Sequence, residues 1–157
     1  MPTSPVQLQE RSALPLVVIR STVSPARLPE VVARSCGAVW EALKAQGLRG
    51  GRNVALYWDE AIRVEAGVEF AGAFAEQDGV TRSATPAGLV AVVTHHGPYG
   101  TLGAAHDAIR RWTQAHHHRT LGPRWELYGH WEPAWDTDPS RISTEVCYLV
   151  APGDPGA

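Results

Sequence analysis

Two short stretches decide the fold: GRNVALY at Gly51–Tyr57 and GPRWELY at Gly122–Tyr128. Both run from a glycine to a Leu-Tyr pair at one spacing, offset by 71 residues. Working outward, each sits in the same series of elements. Pro15–Ser21 (PLVVIRS) and Leu89–Thr94 (LVAVVT) are short apolar runs rich in β-branched residues, which predicts strands. After the first run, Val32, Cys36, Val39 and Leu43 recur at spacings of four, three and four. That spacing lines up one face of a helix near Pro29–Gln46, with Pro29 in the first turn and Gly47 as the stop. After the second run, Leu102, Ala105, Ile109 and Trp112 predict a helix near Tyr99–His116. Asn53–Trp58 and Arg63–Phe74, joined by a turn at Asp59–Ala61, complete the first pass as strands. Arg124–His130 and Ile142–Val150 (ISTEVCYLV) complete the second. The shared letters and element order predict an α+β fold of duplicated β-α-β-β units related by a pseudo-two-fold. Antiparallel sheets, two main helices and a central groove follow, with halves at about 15–75 and 87–150 of a single domain spanning 15–150. Residues 1–14 and 151–157 read as flexible ends, and Glu76–Pro86 as a polar linker.

Composition narrows the function. Of 157 residues, 44% are hydrophobic and 19% charged, which supports a packed core and excludes general disorder. Lys plus Arg number 14 against 16 Asp plus Glu, so the basic excess of a direct nucleic-acid binder is missing. No apolar run reaches the roughly 18–20 residues that span a bilayer, and Met1–Pro15 lacks the apolar core of a signal peptide. The cysteines, Cys36 and Cys147, are too few for a disulfide scaffold, and a reducing cytoplasm is the simplest compartment.

Candidate site residues come from two signals. Glu145 lies within ISTEVCYLV, flanked by small and apolar residues, and shares a strand face with Cys147 and Leu149. A carboxylate there needs a partner, a proton or a cationic ligand, unless the strand is an exposed edge. The second signal is aromatic. Tyr57, Trp58, Trp125, Tyr128, Trp131, Trp135 and Tyr148 lie on predicted hairpin strands or their turns, and Tyr99 opens the second helix. Aromatic faces take flat hydrophobic molecules and cations, but alternation does not settle which of these rings face inward. Trp131 and Trp135 sit in a turn-rich stretch and suit a rim or lid, whereas Trp112 and Trp40 suit packing. Of seven histidines, His116, His117 and His118 are consecutive at a helix end and are expected to diverge. No metal-ligand spacing, phosphate loop or nucleophile turn is present, so no metal and no cofactor are expected.

With these residues in hand, the chain resembles the GyrI-like small-molecule-binding family, over roughly Leu16–Val150. The resemblance rests on Ala91–Leu102 (AVVTHHGPYGTL), Trp112, Gly122-Pro123, Trp125-Glu126, Tyr128 and Thr144-Glu145-Val146, in that order. The family includes effector-binding domains of AraC-type and MerR-type regulators as well as stand-alone proteins. The resemblance implies a duplicated β-α-β-β fold with an aromatic-lined pocket between the halves. It also implies an acidic residue on the final strand facing that pocket, which matches Glu145. No helix-turn-helix precedes the domain here, so the stand-alone type is expected.

The resulting expectation is a module that binds hydrophobic, aromatic and often cationic compounds, for drug or toxin sensing or for sequestration. Glu145 supplies charge, and Tyr57, Tyr99, Trp125, Tyr128, Tyr148 and Trp131 are candidate walls. Hydrolysis of strained cyclopropane-bearing genotoxins is the alternative, as in some stand-alone relatives, with Glu145 as general base. A protein-interaction role, as in the gyrase-inhibitor relative, is the third, although no feature of the sequence indicates a protein partner.

Overall fold

The computed structural model describes residues 3–59 and 63–153. In chain order these form β1 (Gln7–Arg11), β2 (Pro15–Thr22), α1 (Leu28–Ala45), β3 (Asn53–Tyr57) and β4 (Arg63–Glu69). Then follow β5 (Val80–Ala84), β6 (Gly88–His96), α2 (Leu102–Ala115), β7 (Thr120–Tyr128) and β8 (Ser143–Val150). The strands make one antiparallel eight-stranded sheet, ordered β1-β6-β8-β7-β3-β4-β2-β5, instead of separate sheets. That order reads identically from either end once the halves are exchanged. The fold is α+β with the expected internal duplication.

The repeated stretches meet at the centre. β3 pairs with β7, with Asn53 opposite Tyr128, Ala55 opposite Glu126 and Tyr57 opposite Arg124. The 71-residue repeat carries Asn53 onto Arg124 and Tyr57 onto Tyr128, which are each other's partners in reverse. The pseudo-two-fold axis therefore passes between Ala55 and Glu126.

The sheet curls back on itself. Only Ser12–Leu14 separate β1 at one edge from β2 beside the other, and Thr85–Ala87 link β5 to β6 in the same way. Leu14 and Thr85 hydrogen-bond across this junction: the Leu14 N–H donates to Thr85 Oγ1 at 2.8 Å and the Thr85 N–H to the Leu14 carbonyl at 3.0 Å. The inner face closes over one cluster drawn from β2, β3, β6, β7 and β8, including Leu16, Val18, Leu56, Val92, Trp125 and Leu127. The outer face carries two separate clusters, one under each helix. α1 packs chiefly on β2 and β4 and α2 on β6 and β8, so the outer face of β3 and β7 lies open between them.

Several expectations need correction. Residues 7–11 belong to a paired strand, not a flexible end, and Val80–Ala84 is a strand inside the expected linker. Both are polar edge strands, QLQER and VTRSA, whose composition carries no apolar alternation. The strand begun at Arg63 ends at Glu69 instead of Phe74. His116 and His118 do not diverge: both stack on Trp112, at 4.1 and 5.6 Å between ring centroids. The expected turn residues 60 and 61, and 154–157 of the C-terminal end, lie outside the described residues.

Candidate functional site

The open strip above β3 and β7 is a cleft of about 590 Å³. Its wall on α1 is a stripe at helical spacing: Leu28, Pro29, Val32, Ala33, Cys36, Gly37 and Trp40. The facing wall is Tyr99, Leu102, Gly103 and His106 from the start of α2 and the turn before it. The floor is Asn53 and Tyr57 of β3 with Glu126 and Tyr128 of β7. Strand alternation explains the floor, since Asn53, Tyr57, Glu126 and Tyr128 share the outer face while Val54, Leu56, Trp125 and Leu127 fill the inner cluster.

Glu126 is the acidic group of this cleft. It sits beside the pseudo-two-fold axis opposite Ala55, so the duplication supplies one carboxylate and not two. Its side chain is 9% exposed. The Tyr128 hydroxyl donates to Oε1 at 2.6 Å, and His106 Nε2 lies 2.6 Å from Oε2. The other ring nitrogen, Nδ1, lies 2.6 Å from the Tyr148 hydroxyl. Burial, reinforced by the Glu126 charge, pushes the Tyr128 phenol well above its ordinary range and raises Tyr57 in the same way. Tyr128 is therefore a neutral donor to Glu126 at physiological pH. Burial also pushes the Cys36 thiol up to about 11, away from nucleophilic use. Trp40 Nε1 donates to Asn53 Oδ1 at 2.6 Å, fixing the indole at one end of the cleft.

The structure divides the candidate residues among several locations. Tyr57, Tyr99 and Tyr128 line the cleft, with Tyr99 and Tyr128 meeting edge-to-face at 5.5 Å. Tyr148 stands behind His106 and reaches the cleft through it. Trp125 is 2% exposed in the inner cluster, on the opposite face of the sheet. Trp131 lies in the connection between β7 and β8, packed edge-to-face on the buried Trp135, away from the cleft. Glu145 is also misplaced by the sequence reading. It faces inward beside Cys147, and Arg11 Nη1 donates to its Oε1 at 2.6 Å. Burial alone would raise its pKa, but the Arg11 hydrogen bond and charge hold it below the usual carboxylate range.

The register explains this role. Glu145 pairs with Leu127 as Glu65 pairs with Leu56, and the two leucines are repeat equivalents. Glu65 is buried, pairs with Arg20 and accepts from the Ser83 hydroxyl, whereas Glu145 is half-buried. Each half thus neutralises an inner-face glutamate with an arginine.

The fold agrees with comparison to known proteins. The model of the GyrI-like small molecule binding domain matches residues 4–151. The chain belongs to this GyrI-like family. Among solved structures, the EcmrR C-terminal domain is similar, with a TM-score of 0.75 at 20% identity over 96% of this chain and 99% of that one. In a complex of EcmrR with DNA, this GyrI-like domain covers 58% of the EcmrR chain at 22% identity and a TM-score of 0.74. The structure of SAV2435 bound to tetraphenylphosphonium has a TM-score of 0.68 at 16% identity, covering 94% of each chain. A hydrolase encoded by lin2189 from Listeria innocua has a TM-score of 0.65 at 9% identity, covering 96% of this chain and 93% of that one. At these identities the likeness is one of fold. No curated protein sequence matches.

Sequence reasoning about this GyrI-like domain passed over Glu126, His106 and Asn53, and assigned Trp40 to packing alone. Glu126 carried the signal used for Glu145, a carboxylate between two large apolar neighbours, Trp125 and Leu127. His106 follows Ala105 of the predicted apolar stripe by one residue, which places it at the stripe's margin. Among the described residues, no group of three or more His, Cys, Asp and Glu side chains is arranged to hold a metal. Among the same residues, no helix is long and apolar enough to cross a membrane.

Proposed function

We propose that the cleft binds a bulky hydrophobic organic cation, for sensing or sequestration of a drug-like or toxic compound. The observation that carries this reading is the Glu126 carboxylate, nearly buried on a floor shared with Asn53, Tyr57 and Tyr128, between walls that are mostly apolar. A lipophilic cation gains from the aromatic faces and from a counter-charge it does not have to desolvate alone. The tetraphenylphosphonium bound to SAV2435, a protein of similar fold, supports the ligand class. Charge selectivity moves from Glu145 to Glu126, because Glu145 faces the opposite side of the sheet and is already paired. The test is titration with tetraphenylphosphonium, read by calorimetry and by the change in tryptophan emission, to which Trp40 in the cleft contributes. Glu126→Gln should weaken the cation by about tenfold or more, roughly 1–3 kcal/mol, and barely alter a neutral ligand of similar size. Glu145→Gln should leave the affinity unchanged. Equal loss of cation and neutral ligand in Glu126→Gln would defeat the charge assignment.

A second reading has its own observation. Glu126 flanked by a neutral tyrosine hydroxyl and an imidazole, each at 2.6 Å, is an acid–base set suited to opening a strained electrophile with water. Hydrolysis of a cyclopropane-bearing genotoxin would then fall to Glu126 as base and Tyr128 as acid. Product formation by the wild type that is abolished in Glu126→Gln would establish it, whereas return of intact compound supports binding alone.

A further inference from the structure

We infer that His106 is a specificity-determining residue of the cleft, holding the Glu126 carboxylate in competition with a ligand cation. The inference rests on the cationic-ligand reading above and adds a proton to it. Both carboxylate oxygens are already engaged, Oε1 by the Tyr128 hydroxyl and Oε2 by His106 Nε2. A cation approaching from the cleft therefore meets a carboxylate whose nearest potential counter-charge is this imidazole. The second ring nitrogen faces a hydroxyl, and that choice matters. A hydroxyl donates to a neutral Nδ1 and accepts from a protonated one, so the same heavy-atom frame serves both charge states of the ring. Imidazole is the side chain whose charge changes between about pH 5 and 8.

Among the described residues, His106 is the basic side chain that pairs with that carboxylate. The groups around His106 are Glu126, Tyr128 and Arg124 on β7, Tyr148 on β8, Tyr57 on β3, Cys36 on α1, Tyr99 before α2, and Asp107 and Arg110 on α2 itself. Arg110 pairs with Asp107 and lies over the Tyr148 ring at 5.9 Å. Arg124 lies over the Tyr57 ring at 5.1 Å and donates to the Asp59 carbonyl. With the imidazole neutral, the His106–Glu126 pair carries one negative charge and recruits a cation. With the imidazole protonated, the pair is neutral and no longer recruits a cation, whereas an uncharged aromatic compound binds the two states alike. A bound cation drives that proton off, and linkage requires acid to weaken the cation in return.

The experiment is calorimetry with tetraphenylphosphonium and with neutral triphenylphosphine oxide from pH 5.5 to 8, each in two buffers of different ionisation enthalpy. The expected result is release of up to one proton on binding the cation. Its affinity should fall by up to about tenfold per pH unit on the acid side, the limit set by one linked proton, with no slope for the neutral oxide. His106→Gln keeps a donor for Glu126 but takes no charge, and should flatten the cation's pH profile and abolish proton release. Proton release and the titration of the His106 ring followed by NMR, free and with cation, need no variant and stand if His106→Gln fails to fold. Cation binding without proton release, or a pH slope unchanged in His106→Gln, overturns the inference and leaves the proposed ligand class intact. Failure of the wild type to bind the cation at any pH defeats both.

Discussion

A carboxylate surrounded by apolar neighbours needs a counter-charge, and Arg11 supplies it for Glu145 from 134 residues away in sequence. Because its pKa in the folded chain is lowered, the pair contributes stability above the ordinary carboxylate value of 4.5. That contribution disappears as pH falls below 4.5 through the folded-state value. Glu145→Gln is accordingly expected to cost about 1 kcal/mol at pH 7 and progressively less as pH falls below 4.5, measured by urea unfolding across that range. A gain in stability at pH 7 would mean that Glu145 is strained by burial instead of paired. The sequence offered two glutamates in matching apolar contexts, Glu126 and Glu145, and nothing local separates them. Their difference lies in what stands opposite: Arg11 on β1 in one case, His106 on α2 in the other.

The elements that could be read from the sequence are those whose periodicity is set by burial. α1 shows its stripe because one side meets β2 and β4 and an adjoining side lines the cleft, so Val39 and Leu43 are buried while Val32 and Trp40 face the cleft. β1 and β5 were illegible because a polar edge strand is held by backbone pairing, which leaves no mark on side-chain alternation. Glycine positions make a test at this scale. A Cβ on Gly67 of β4 would stand 2.0 Å from the Val17 carbonyl oxygen and 2.8 Å from Val18 Cα, backbone atoms that cannot move aside without parting the sheet. Gly67→Ala should cost about 2–3 kcal/mol in thermal or denaturant unfolding. Gly37 on α1 meets nothing within 4 Å, and Gly37→Ala should instead raise stability by up to about 1 kcal/mol through helix propensity. Equal losses in the two variants would refute the close approach at Gly67.

For the molecule as a whole, the curl of the sheet depends on the first strand. β1 covers the outer edge of β6, carries Arg11 to Glu145 and runs directly into the Leu14–Thr85 junction. Removing residues 1–11 should lower the melting temperature by several degrees and leave β6 as an open edge, detectable as self-association by light scattering. An unchanged melting temperature with a monomeric product would show that β1 contributes little. The duplication has a second whole-molecule consequence. Each half brings its own helix and inner-face glutamate, but the cleft lies on the axis, where Ala55 faces Glu126 and only one of the two equivalent positions carries a carboxylate. The cleft is therefore suited to one charge.

By itself the sequence determined the repeat, the order of elements around it, the two helices and the aromatic character of the candidate walls. Each of these follows from spacing along the chain: 71 residues between repeats, three and four along a helix, two along a strand. Tertiary structure decided which glutamate serves the cleft. Alternation groups Glu126 with Tyr128 and Glu145 with Cys147, but does not say which face the helices cover. That face is chosen by long-range strand pairing and by the side on which each helix crosses over the sheet. Once α1 and α2 lie over the outer face, Glu126 becomes the cleft's charge and Glu145 a half-buried strut tied to Arg11.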